Sequence, residues 1–223
     1  GYFGWDRDEP GIATVSQWTK LHVRATFSED VSAFIEVDHQ NLWGDNFRSD
    51  YVTGVDSADG GDLSLYQAYI EANQLFGAPL RLRVGRQEIE LGDEFLVGNN
   101  DEGPVPAFGL SFDALRLTYE TDAFSLDAFV SRIFEDAGAA VPGDADFGGV
   151  YGTYTGSERW RIEAYWLWLH QGALDEVTGH GLAPERVEDF FGVDQPRSLK
   201  LYTAGGRAVY TRGDFEAQAE VAR

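Results

Sequence analysis

The stretch from Leu63 to Tyr119, LSLYQAYIEANQLFGAPLRLRVGRQEIELGDEFLVGNNDEGPVPAFGLSFDALRLTY, decides how the rest of the chain reads. It contains three segments in which apolar and polar residues alternate, and alternation at period two puts one set of side chains on each face of a strand. Tyr66, Ala68, Ile70 and Ala72 oppose Gln67, Tyr69, Glu71 and Asn73; Leu80, Leu82 and Val84 oppose Arg81 and Arg83; Leu115, Leu117 and Tyr119 oppose Arg116 and Thr118. A tight turn, Phe76-Gly77-Ala78-Pro79, joins the first two segments. A long acidic loop rich in Gly, Asn and Pro, residues 92–109, joins the second to the third. Short connections at one end and long ones at the other are the rhythm of a transmembrane β-barrel.

The same rhythm extends in both directions. Upstream, Ile12 to Phe27 alternates, with Lys20, His22, Arg24 and Thr26 on the polar side, and Ser32 to Trp43 sets Ala33, Ile35 and Val37 against Glu36, Asp38 and Gln40. Downstream come Leu126, Ala128 and Val130, a Gly/Tyr/Thr-rich segment at 147–155, and Trp160 to His170, where Ile162, Ala164 and Trp166 face away from Arg161, Glu163 and Tyr165. Two more segments follow around Arg207 and Glu216. The pattern predicts an all-β fold: an antiparallel up-and-down transmembrane β-barrel with ten strands in this chain. Each strand is near the ~9–11 residues that cross a bilayer at a tilt. Phe27, Trp43, Tyr119, Trp160, Trp168 and Tyr210 stand where interfacial aromatic girdles belong. A soluble sandwich alternates too, but its loops need not sort by length to opposite ends.

Composition agrees. The 223 residues include 26 Gly, 14% aromatics and no Cys or Met, which suits strands and turns better than helices. Without Cys there is no disulfide scaffold, no Cys-ligated zinc and no thiol catalysis. No run approaches the ~20 apolar residues of a spanning helix, so a membrane role has to go through strands. The mean hydropathy of −0.31 fits a barrel, because every second wall residue is polar. The opening Gly-Tyr-Phe has neither an initiator Met nor a leader, so the chain is expected to be a processed or internal piece: one barrel domain over 1–223, incomplete, with an acidic arm at 1–11.

The net charge of −21 is concentrated. The arm and the four long loops (44–62, 92–109, 134–147, 171–197) hold 22 of the 38 acids and 4 of the 17 bases, while the strands and short turns are nearly balanced. An acidic rim attracts cations, and Asp93, Glu94, Asp101 and Glu102 are candidate Ca²⁺ donors, although no loop has the spacing of an EF-hand. A solvated loop explains the same residues. On the polar face Lys20, Arg24, Arg81, Arg83, Arg116, Arg161 and Arg207 stand against Glu36, Asp38, Glu71, Asp127, Glu163, Glu216 and Glu220. On a lumen wall such rows would sort solutes by charge; as cross-strand ion pairs they would brace the wall. Both can hold together.

Catalytic constellations are missing. Glu36/Asp38 and Glu88/Glu90 lie two apart, so each pair is expected on one strand face, whereas glycosidases bring two carboxylates from different segments. The four histidines lack HExxH spacing, there is no G-x-S-x-G and no phosphate loop, and no basic patch favours nucleic acid.

LSLYQAYIEA, LRLRVGRQEIELGDEFLVGN and FDALRLTY, with Gly85-Arg86-Gln87, Gly92-Asp93 and Phe112-Asp113 in that order, resemble the alginate-export family of Gram-negative outer-membrane proteins. The resemblance implies a monomeric antiparallel barrel of about eighteen strands, of which ten would lie here. It places Arg81, Arg83, Arg86 and Gln87, with Asp113 and Arg116, along the lumen or its outer mouth. Arg86 and Asp113 share the parity of Val84 and Leu115, so a bulge at Gly85, or a position above the hydrocarbon, is needed to reconcile them.

The expectation is therefore a non-enzymatic outer-membrane channel, without cofactor, that passes polar or charged solutes such as saccharides or uronates. Its surroundings are membrane lipid and lipopolysaccharide. A balanced wall under an acidic rim does not match a polyanion conduit, so the cargo stays open. The rival expectations are a structural or adhesive barrel whose acidic loops bind Ca²⁺ or a surface partner, and a secreted β-sandwich binding module.

Overall fold

The computed structural model describes residues 16–42, 63–99, 110–134, 145–172 and 198–223. They form ten strands: β1 Ser16–Thr26, β2 Val31–Leu42, β3 Leu63–Ala72, β4 Leu80–Gln87, β5 Phe112–Glu120, β6 Phe124–Phe134, β7 Ala145–Tyr154, β8 Trp160–Gln171, β9 Leu199–Arg212 and β10 Phe215–Ala222. All ten join one sheet in sequence order, each antiparallel to the next. The order is the up-and-down topology of the sequence reading, and the Gly/Tyr/Thr-rich segment is a full strand. β1 and β10 do not pair, so the sheet is open. A sandwich needs a second sheet, and the described strands form a single sheet. No described helix is long and apolar enough to cross a membrane, which says nothing about strands.

Short turns close one end. Phe27 N–H donates to Val31 O (2.9 Å) and the Ser28 hydroxyl accepts from Val31 N–H (3.1 Å). A 3-10 turn at Leu75–Gly77 reverses the chain between β3 and β4, and Thr121 does so between β5 and β6 through bonds to both backbone groups of Phe124. The long connections leave from the strand ends opposite these turns.

The two faces differ sharply. On one, Val23, Ile35, Ile70, Val84, Leu115, Val130, Ile162 and Trp166 are all exposed. Ile162 is 49% exposed and Trp166 46%, as expected for a bare outward band rather than a core. Rings gather on this face near the turn end, where Trp160 lies 4.9 Å from Tyr210 and Tyr210 6.5 Å from Phe215. Trp43 lies outside the described residues. Among the described residues five charged side chains on the other face are buried, Glu36, Asp38, Glu71, Glu163 and Arg207, while Lys20, Arg24 and Arg161 stay exposed.

Register departs from simple alternation at two bulges. Between Glu36 and Val37 the pairing with β3 slips, and Tyr66 is the extra residue. Tyr66 therefore joins Gln67 on the charged face, 5% exposed, instead of the apolar face that period two predicted. A second slip lies between Arg132 and Phe134. The expected bulge at Gly85 does not occur, since pairing with β3 and β5 runs through it unbroken.

Gly85 has a different role. Its φ is +124°, and a Cβ there would sit 2.3 Å from the Ala68 carbonyl oxygen and 2.9 Å from Tyr69 Cα. No rotamer can relieve a clash with backbone. Gly85→Val is expected to cost roughly 2 kcal/mol or more, read as a lower urea midpoint for the detergent-folded protein; an unchanged midpoint would contradict this geometry.

Candidate functional site

The charged face carries nearly all of the residues singled out from the sequence. Lys20 sits opposite Asp38, and Arg24 opposite Phe34. Glu71 meets Arg83, Arg83 meets Arg116, and Arg81 meets Thr118, which meets Asp127. Glu163 pairs in register with Arg207, and Arg161 with Val209 beside it. Glu216, opposite Thr211, extends the face to the β10 edge. Gln87 turns in on the same side and is fully buried, its Nε2 donating to Ala114 O at 3.0 Å.

Arg86 and Asp113 are the exceptions, lying near the long-loop end and off the charged face. They pair with each other on the face of Val84 and Leu115 in a two-pronged ion pair of 2.8 and 2.7 Å. Period-two geometry forces this once no bulge intervenes at Gly85.

Across the charged face most cations are matched. Arg83 clasps one Glu71 oxygen through Nε and Nη2 (2.9 and 2.6 Å). Arg116 and the Thr118 hydroxyl both donate to one Asp127 oxygen (2.9 and 2.6 Å). Lys20 lies 3.9 Å from Glu36 and 4.0 Å from the Trp18 ring centre. Ser64 donates to Asp38. The bracing role weighed in the sequence is thus realised for these pairs.

The sequence reading missed what covers this face. β4 stops at Gln87, and residues 88–99 fold back over the charged side, so Glu88 and Glu90 belong to this loop and not to a strand face. The Glu88 carboxylate accepts from the Tyr66 hydroxyl (2.5 Å) and Gln67 Nε2 (3.1 Å) of β3. The loop closes on itself through Leu91 N–H to Val97 O (3.0 Å) and Asn99 Nδ2 to Glu90 (2.9 Å). Ile89, Leu91 and Val97 then form a buried cluster with Phe112, Phe129, Tyr151, Tyr165 and Leu167. Burying each of the three aliphatic side chains is worth about 2 kcal/mol.

At the far tip, Asp93 reaches Arg207 on β9 at 2.5 Å. Arg207 also donates to Glu163 (2.9 Å), while its Nη2 donates to Gln218 Oε1 (2.6 Å). Arg161 holds the second Glu163 oxygen at 2.6 Å. Gly92 permits the approach: its φ is +63°, and a Cβ would stand 2.7 Å from the Tyr151 hydroxyl. One signal of this arrangement was visible. Ile89 and Leu91 continue the parity of Arg83 and Gln87, putting apolar side chains on the polar face.

Of the four candidate Ca²⁺ donors, Asp93 and Glu94 lie in the described part of this loop. Asp93 is engaged by Arg207, and among the described residues no group of three or more acids or histidines is placed to hold a metal. Asp101 and Glu102 lie outside the described residues.

Comparison with known proteins fits this architecture. No curated protein matches the chain. A family model described as alginate export matches residues 7–209, which takes in the loop and the whole charged face as far as Val209. With that range covering most of a ten-stranded up-and-down sheet, the chain belongs to the alginate-export family of outer-membrane export channels.

Proposed function

We propose that the protein is an outer-membrane channel of Gram-negative bacteria through which small polar or charged solutes, saccharides and uronates among them, diffuse along the charged face. The observation that carries this is the sidedness of the sheet: exposed apolar side chains on one face and buried ion pairs on the other. In this reading the apolar face meets lipid and the charged face meets water.

The loop at 88–99 narrows the passage. It brings Glu88, Glu90, Asp93 and Glu94 and no base to a wall whose arginines are largely matched by acids. A field of that sign favours cations and neutral sugars over a long polyanion. Family membership supports the channel, and the charge balance supports the choice of cargo.

Planar-bilayer recording tests both parts. The intact protein is expected to give discrete conductance steps and a reversal potential in a KCl gradient on the cation-selective side. Absence of steps would overturn the channel, and anion selectivity would overturn the preference for cations and neutral sugars. Liposome swelling should be faster in a neutral monosaccharide than in a uronate of similar size.

A further inference from the structure

On the apolar face, six adjacent strands change from apolar to charged on one register row near the long-loop end. The row reads Arg86, Asp113, Arg132, Asp146, His170 and Lys200. Its first four members neutralise each other in two ion pairs, Arg86–Asp113 and Arg132–Asp146, each 2.7 Å. His170 and Lys200 stand side by side at the other end, both exposed, and neither has an acidic partner among the described residues. Lys200 is one of only two lysines in a chain of net charge −21.

One step toward the turn end on the same face, Trp168 sits opposite Tyr202, and Tyr202 stacks with Trp166 at 6.1 Å and 15°. Tyr202 is 61% exposed. An indole and phenol shelf directly below two basic groups has the polarity profile of a phospholipid: rings for the glycerol and upper acyl chain, cations for the phosphate.

We propose that His170 and Lys200, over Trp168 and Tyr202, form a binding site for the phosphate headgroup of an anionic lipid in the leaflet on the long-loop side. The inference rests on the apolar face meeting lipid. Lipid is favoured over free phosphate because His170 and Lys200 open onto the same face as the bare apolar band, while the opposite face holds most of its cations in ion pairs. Arg132 is held by Asp146 and supports the site by keeping that acid away from His170.

Tryptophan quenching by brominated lipid reads this site directly, since Trp166 and Trp168 lie beside it. The intact protein is reconstituted into dioleoylphosphatidylcholine vesicles in which brominated phosphatidylglycerol or brominated phosphatidylcholine replaces a fixed fraction. The expected result is a preference for phosphatidylglycerol of about fivefold, the effect of the one Lys charge. Lys200→Glu should abolish that preference, with Lys20→Glu on the charged face leaving it intact. Lys200→Gln, a milder change, should lower it partway and serves where the charge reversal hinders insertion. Equal quenching by the two lipids in the unaltered protein would overturn the proposal. So would a preference that survives Lys200→Glu and Lys200→Gln, an equal loss in Lys20→Glu, or displacement of the lipid by inorganic phosphate alone. Conductance is read separately, so a silent channel that keeps its lipid preference would count against the transport reading only.

Discussion

Replacing Arg207 with alanine should both weaken the protein and widen its passage. Arg207 is 6% exposed and touches three groups: Glu163, itself 1% exposed, Asp93 at the tip of the inward loop, and Gln218 on β10. Removing one partner of a buried pair leaves the other charge uncompensated, which typically costs about 3 kcal/mol. Arg161 still holds one Glu163 oxygen, which keeps the loss near the lower end of that range. The urea midpoint should fall accordingly, and Glu163→Gln in the same background should recover part of it. Single-channel conductance should rise if the loop leaves the wall.

Asp93→Asn separates the two effects. The Asp93 side chain is 46% exposed, so losing its charge costs little stability while releasing the same tip. A conductance gain in Asp93→Asn without a large drop in midpoint would assign the gain to the loop. No gain in either variant would mean that the buried aliphatic cluster, Ile89, Leu91 and Val97, holds the loop unaided.

The second large effect is expected on the apolar face. Val150, on the central strand β7, is 40% exposed and lies between Ala128 and Trp166 in register. On a soluble protein an exposed Val→Arg change stays within about 0.5 kcal/mol. Facing the middle of a bilayer, the same change costs roughly 2–4 kcal/mol, falling to about 0–1 near the interface. Val150→Arg should therefore destabilise the lipid-inserted protein strongly, and Phe215→Arg, beside the β9–β10 turn, only slightly. Equal, small effects at both positions would mean that the exposed apolar face does not meet hydrocarbon.

How far these sites could be read in advance differs by residue. Glu71, Arg83, Arg116 and Asp127 were legible because each strand's parity is local, and parity alone puts them on one face. Tyr66 was misread because a bulge in β3, with Tyr66 as the extra residue, shifts the count by one, and nothing in LSLYQAYIEA marks it. Arg86 and Asp113 show the reverse: parity put them with Val84 and Leu115, and the structure keeps them there.

The sequence by itself determined the strand count, the topology of short turns and long loops, and the separation into an apolar and a charged face. Each depends on neighbours a few residues apart. Only the tertiary structure decided what residues 88–99 do. Their path over the wall is set by contacts with Tyr66, Tyr151, Glu163 and Arg207, which lie far off in the chain and come together only once β3, β7, β8 and β9 share a sheet. Loop composition is compatible with many paths; the buried ion pairs and aliphatic cluster select one of them.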